Sequence, residues 1–350
     1  MRPTRLATLS VLVGSLAAAQ AQPSPPEYRV RHRLDGGEWT HLPEVMNERH
    51  QVVGEYRGPT PSVGFRWSAE KDRIDYTPHP ADGDGSVLLR AINRAGLAVG
   101  DAGVIVDGAM RVRAVMLTPN GQRVQLPHPG SPEQSSRAVS VNDAGVIIGQ
   151  LSDGLYRRSS RAVRWNPDGS VELLDIPPEV QHINNRGDIA GQVTTPTDRT
   201  AFLQQADGTL HHFALRSVKR LLDDGTVAGY TMANRHKEHA AVWTPEGGVQ
   251  LLPRPLNRPA TSCWANGMNS QWQVVGECFS AQDGTHAILW QRVGGEWQLV
   301  DLSWHVQGGW LARHQGGTAA LHITEAGTIL GYSWVAGQGF VTMILEPQRP

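Results

Sequence analysis

The chain is predicted to be all-β, a β-propeller of seven four-stranded blades closed by an N-terminal strand. Three observations predict it. An eight-residue frame recurs seven times, from Asn47 to Gly54, Asn93 to Gly100, Asn142 to Gly149, Asn184 to Gly191, Leu222 to Gly229, Asn269 to Gly276 and Thr324 to Gly331. The cleanest copy carries four short apolar runs parted by turn residues. The 350 residues include 38 Gly and 23 Pro, and helix-forming runs are absent. A period of about 40 to 50 residues means one supersecondary unit copied in tandem, each too small to bury its apolar face alone. Four strands per copy point to radial closure, which leaves only short, protected edges. An open β-solenoid is the competing architecture, but its coils are shorter and their turns do not form successive hairpins.

The chain begins with an address. Arg2 and Arg5 precede a weakly polar to apolar stretch, Leu6 to Ala19, that ends in Ala19-Gln20-Ala21. This is the pattern of a secretory signal peptide over 1–21, too short for a membrane span of about 20 residues. No cysteine follows to take a lipid. A proline-rich leader, 22–27, then enters a single domain, 28–346, with a tail at 347–350. The expected location is periplasmic or extracellular. Of 32 basic residues, removing Arg2 and Arg5 leaves 30 against 33 acidic, a balance near −3. These charges are scattered singly, without the basic stripe a nucleic-acid binder shows. No nucleic acid, membrane span, metal or cofactor is expected, and the protein is read as a monomer.

The last copy runs out after Phe340 to Leu345 without a fourth strand, while Tyr28 to Leu34 and Glu38 to Leu42 precede the first copy. An N-terminal strand is therefore expected to complete the last blade. Gly36-Gly-Glu-Trp39 matches Gly294-Gly-Glu-Trp297, which favours an outer-strand position.

The third copy shows the grammar in order. Ala138 to Val141 alternates as a strand, Asn142-Asp-Ala-Gly145 is a turn, and Val146 to Ile148 is a buried strand. Arg161 to Trp165 is a third strand, Asn166-Pro-Asp-Gly169 a second turn, and Val171 to Leu174 a fourth strand. The third-strand phrase returns as Arg113 to Leu117, Thr200 to Gln204, His239 to Trp243 and His286 to Trp290, with Gly64 to Trp67 as its first version. A small residue stands three before a large one. Those positions face opposite sides of a sheet, so both sides are expected to be covered by neighbouring sheets.

On His239-Ala-Ala241, His286-Ala-Ile288 and Thr200-Ala-Phe202, each beside the frame, the chain resembles the extracellular repeat family named for its His-Ala-Phe (HAF) motif. The resemblance covers nearly the whole chain after the signal segment and implies export and a repeat fold. It carries no assigned reaction and no catalytic residues. The fifth and seventh copies depart from it, with Leu222 and Thr324 in place of Asn.

Cys263 and Cys278 lie on either side of Ser270-Gln271. A hairpin reversing there sets them opposite, within reach of a disulfide that an oxidising compartment preserves; a one-residue bulge is expected to break that pairing. Of 11 Trp, Trp67, Trp165, Trp243 and Trp290 occupy the repeated third-strand position and read as core. Trp264, Trp304, Trp310 and Trp334 are out of phase and are candidates for binding a sugar or a partner. Two of them lie in the long interval Trp304-His-Val-Gln-Gly-Gly-Trp310. Loops on a rigid scaffold carry binding, and exposed rings stack on sugar faces; extra packing of a long connection is the alternative.

The residue after each frame Gly varies, and three are acids: Glu55, Asp101 and Glu277. If that position faces the centre of the ring, they are candidates for glycoside acid–base chemistry or cation binding, against ordinary variation at a strand end. His236-Lys-Glu-His239 lacks the zincin order, Asp82-Gly-Asp-Gly85 lacks the twelfth-position carboxylate of a calcium loop, and Gly331 to Val335 misses the nucleophile elbow. The function expected is a non-catalytic binding or scaffold module at the cell envelope or outside the cell, with a polysaccharide or envelope protein as partner. A polysaccharide-acting hydrolase or lyase is the alternative, since propellers host both.

Overall fold

The computed structural model describes residues 26–35, 40–57, 62–77, 86–153, 159–234, 237–255, 262–307 and 317–348. The signal segment, most of the leader, the Gly36 to Trp39 phrase, Asp82 to Gly85, His236 and Trp310 lie outside the described residues. Among those described, 28 strands pair into seven four-stranded antiparallel sheets arranged as a β-propeller. Six blades each take four consecutive strands. The seventh takes Thr318–Ile323, Ile329–Val335 and Gly339–Pro347, and is completed by Tyr28–Asp35, paired from Tyr28↔Pro347 to Asp35↔Val341. The N-terminal strand thus latches the ring, as the missing fourth strand predicts.

The core lies between blades rather than within them. Trp165 and Ala162, three apart on the third strand of blade three, are 2% and 0% exposed. Trp165 packs with Val99, Ala114 and Leu126 of blade two, while Ala162 packs with Val180 and Phe202 of blade four. Each small–large pair therefore joins three blades, which is why the phrase repeats. Trp165 also donates its indole N–H to the Pro127 carbonyl of blade two at 2.7 Å, and Trp290 does the same to Pro253 of blade five. Trp67 and Trp243, at the equivalent position, are buried too.

The frame closes the hairpin between the inner and second strands. In blade three the Asn142 Oδ1 accepts the N–H of Val146 at 2.9 Å, capping its own turn, and its Nδ2 donates to the Asn184 carbonyl of blade four at 3.1 Å. Asn47, Asn93, Asn184 and Asn269 likewise reach the Asn93, Asn142, Leu222 and Thr324 carbonyls at 2.8–3.0 Å. The repeated asparagine is a staple between successive blades. Thr324 keeps only the cap, its Oγ1 accepting the Thr328 N–H, and Leu222 is buried instead among Ala228, Val274 and Trp290.

The fourth frame residue has a left-handed backbone, as at Gly145 (φ 82) and Gly187 (φ 89), but His50 (φ 54) and Trp272 (φ 58) adopt it without being glycine. Such a conformation costs about 1–2 kcal/mol. At Trp272 the ring is covered by the Arg292 guanidinium, 3.9 Å from its centroid, and stands 6.0 Å from the Trp297 ring.

Every inner strand carries a β-bulge at one place. The register shifts between Pro43/Val45, Leu89/Ala91, Ala138/Ser140, Val180/His182, Val218/Arg220, Ala265/Gly267 and Ala320/His322. Opposite each bulge stands the last glycine of the frame. At Gly149 a Cβ would overlap the Arg137 carbonyl oxygen, and at Gly276 that of Trp264. The bulge thus demands the glycine, because the inner-strand carbonyl lies on its Cα.

The cysteine hairpin corrects one expectation. Cys263 and Cys278 are opposed and joined by a disulfide, yet the strand between them is bulged at Asn266. The turn spans Asn269 to Gln273 and is centred on Gln271, half a residue beyond the midpoint of the cysteines. The bulge takes up that offset, so it creates the pairing instead of breaking it.

Candidate functional site

The seven inner strands surround an axial channel, and the bulges decide what faces it. A bulge leaves one residue outside the ladder and re-aims its side chain. Those residues stand three before each frame: Glu44, Arg90, Val139, Gln181, Lys219, Asn266 and Leu321. All seven line a chamber of about 540 Å³. The next position contributes Val45, Ala91, Ser140, His182, Arg220 and His322. A second chamber, about 350 Å³, opens at the frame turns, where the second frame residues Glu48, Arg94, Asp143, Asn185, Asp223, Ser270 and Glu325 form a rim. Arg220 and His322 belong to both walls.

The rim is a second belt of blade-to-blade hydrogen bonds. Asp143 Oδ1 accepts the Arg94 N–H, Asn185 Oδ1 the Asp143 N–H and Asp223 Oδ1 the Asn185 N–H, each at 2.9 Å. Glu325 accepts from Ser270, and Glu48 accepts the Glu325 N–H, crossing the ring closure.

Inside the channel, burial acts on several of the charged groups. Glu44 lines the larger chamber; burial raises its carboxyl, with Arg90 and Lys219 pulling the other way. Burial works most strongly against the Arg90 charge, but Asp101, at 2.5 Å from Nε, together with Glu44 and Glu55 outweighs it. Burial lowers the Arg220 guanidinium, opposed by the rim carboxylates Glu48, Glu325, Asp223 and Asp143. The same desolvation, with Arg220 beside them, pushes His182 down to about 3 and His322 well below its ordinary range. Both imidazoles are therefore neutral at physiological pH.

The acids singled out in the sequence lie on second strands, paired with Leu42, Leu88 and Trp264 of the inner strands. Asp101 is buried and ion-paired to Arg90. Glu55 pairs with Arg57 at 3.0 Å and adds to the field on Arg90. Glu277 bonds with Asn266; burial raises its carboxyl, and it joins burial in raising the neighbouring Tyr332 to about 12. Glu55 and Asp101 therefore share Arg90, while Glu277 stands with Asn266 and Tyr332. Of the seven positions after the frame Gly, Gln150 lines the chamber directly.

The tryptophans are spread over three elements. Trp304 is 67% exposed on the helical turn Leu302–His305, which Asp301 caps by accepting the Ser303 N–H. Trp264 is half-buried on the inner strand of blade six, and Trp334 lies exposed opposite Phe340 on blade seven. Among the described residues no group of three or more His, Cys, Asp or Glu is arranged to hold a metal ion, and no helix is long and apolar enough to cross a membrane.

No family model matches the chain, and no curated protein does. Solved structures match it by shape. The chain is similar to an oligogalacturonate lyase in complex with manganese, with a TM-score of 0.53 and 13% identity over 93% of this chain and 97% of that one. A streptogramin B lyase matches with a TM-score of 0.51 and 13% identity over 92% and 98% of the two chains. A virginiamycin B lyase from Staphylococcus aureus matches with 0.52 and 11% over 91% and 99%. The chain shares their fold. At such identities the likeness extends to the scaffold alone, and the channel chemistry has to be read from this chain's own residues.

The position after each frame Gly, the one that sequence recurrence singles out, contributes only Gln150 to the chamber lining among the described residues, and the other lining residues stand elsewhere on the hairpin. The signal was present three and two residues before each frame. There the residue type changes from blade to blade, from Glu44 and Arg90 to Lys219-Arg220 and His322, while the frame beside it stays nearly constant.

Proposed function

We propose that the protein is an exported, non-catalytic binding module of the cell envelope or extracellular space, taking a glycan or an envelope protein at the channel and its surrounding loops. The observation that carries this reading is the matching of the candidate acids. Asp101 is tied to Arg90, Glu55 to Arg57 and Glu277 to Asn266. Glycoside hydrolysis by acid and base needs two carboxyl groups facing each other across the bond, whereas Asp101 and Glu55 are each held by an arginine and both act on Arg90, and Glu277 stands apart from them with Asn266. The Cys263–Cys278 disulfide suits an oxidising compartment, and the 1–21 segment supports export. The exposed Trp304 and Trp334 offer aromatic faces outside the channel.

One observation favours an enzyme on the same scaffold, a polysaccharide hydrolase or lyase: at the junction of blades six and seven the half-buried Glu277 and Tyr332 both have raised pKa values, chiefly from burial, with the Glu277 charge adding to the rise at Tyr332. A glycan array paired with a reducing-sugar assay separates the readings. Binding without turnover is the expected result. Turnover that disappears in Glu277→Gln would establish the enzyme instead, and silence in both assays would leave an envelope protein as the partner.

A further inference from the structure

The axial channel is electrically two-sided. Three cations, Arg90, Lys219 and Arg220, and one acid, Glu44, are the charged groups lining the larger chamber. The smaller chamber has four acids at its rim against Arg94 and Arg220. Arg220 is the boundary. Because Asp101 neutralises Arg90, Lys219 and Arg220 are the lining cations without an ion pair among the described residues.

The polar atoms around Arg220 are incomplete. Its Nε is buried without a hydrogen-bond partner, and so are Nδ1 of His322 and Oε1 of Gln181. His322 is 6% exposed and lines both chambers. Buried polar atoms in native proteins are nearly always paired, and these three come from adjoining levels of one channel wall. The charges of Glu48, Glu325, Asp223 and Asp143 reach Arg220, but among the described residues none of them makes an ion pair or side-chain hydrogen bond with it, and its Nε stays unpartnered; each of the four accepts a backbone N–H of a neighbouring blade. A guanidinium in such a site binds an oxyanion through charge-assisted hydrogen bonds, about twice as strong as neutral ones.

Resting on the binding-module reading, we propose that the larger chamber is an oxyanion site in which Arg220, with Lys219 beside it, holds the carboxylate of an acidic sugar. His322 and Gln181 supply polar partners for the carboxylate and an adjacent hydroxyl. The ligand enters from the face opposite the frame turns, because the acidic rim repels it at the other mouth.

The test is calorimetric titration of the whole exported chain with sodium glucuronate, glucose, sodium acetate and sodium sulfate, repeated on Arg220→Gln and Lys219→Gln. Glucuronate is expected to bind the wild type at least tenfold more tightly than acetate or sulfate, and glucose not to bind. Glucuronate affinity is expected to fall at least tenfold in Arg220→Gln and severalfold in Lys219→Gln. Acetate or sulfate binding as tightly as glucuronate would overturn the sugar and leave a simple anion site. Unchanged glucuronate affinity in both variants would overturn the site itself. Should Arg220→Gln fail to fold, Lys219→Gln decides alone, since its side chain is exposed to channel water. If a glycan array still shows binding in both variants, this site falls and the binding module stands; if the wild type binds no glycan on the array and no glucuronate, both sugar readings fall.

Discussion

Two parts of the same hairpin, only three residues apart, behave in opposite ways. At the frame, Asn142 and its counterparts repeat the same side chain for the same pair of hydrogen bonds, one within the blade and one to the next. At the bulge, the backbone repeats in all seven blades while the side chain changes from acid to base to amide to aliphatic. Constancy at the frame holds the ring together. Variation at a fixed geometry makes the channel wall specific to this protein, so the frame is expected to respond in stability and the bulge in binding.

The largest effect that sharpens this contrast is expected from Gly149→Ala, where the added carbon meets the Arg137 carbonyl. A loss of about 4 kcal/mol or more, or failure to fold, is expected from backbone overlap at a buried site, read by urea denaturation; a loss under about 1 kcal/mol would show that the bulge does not demand glycine. Next comes Asn142→Ala, which strands the Asn184 carbonyl and the Val146 N–H and is expected to cost about 1–3 kcal/mol. Thr324→Ala removes the cap alone and should cost less; equal losses would break the two-bond account of the staple.

A pH titration of stability probes the level between frame and bulge. The unfolded chain protonates His182 near 6.5 and the folded protein only near 3. Its contribution is therefore full above pH 6.5 and is lost as the pH falls from 6.5 towards 3, by up to about 1.4 kcal/mol per pH unit. His322, lowered in the same direction, adds to that slope. His182→Gln should flatten it, and an unchanged slope would mean that other groups carry it. The smallest effect is expected at the bulge. Lys219→Met should shift stability by no more than about 0.5 kcal/mol, and a loss like that of Asn142→Ala would erase the distinction between the two positions.

Much of the fold was legible because its signals are local. The Asn-to-Gly turn, the Pro and Gly of the second turn and the small–large third strand each act over a few residues, and sevenfold recurrence made them unmistakable. Glu55, Asp101 and Glu277 were found as recurring positions, but their partners Arg57, Arg90 and Asn266 were not, since the last two come from the neighbouring strand of the hairpin. The bulge was foreseen only as a hazard to the Cys263–Cys278 pairing. Its extra residue is invisible in an alternating pattern whose flanking positions are all apolar or small, as at Ala138 to Val141.

By itself the sequence determined the number of blades, the strand order within each and the N-terminal closure, because turn chemistry and alternation are set by neighbouring residues along the chain. Only the tertiary structure decided that Arg220, Lys219, His182 and His322 meet across one channel. Their convergence depends on seven bulges and on ring closure, which bring together side chains that are more than a hundred residues apart between blades four and seven. The lowering of Arg220, His182 and His322 follows from the burial that closure imposes, a property of the assembled ring that no single repeat possesses.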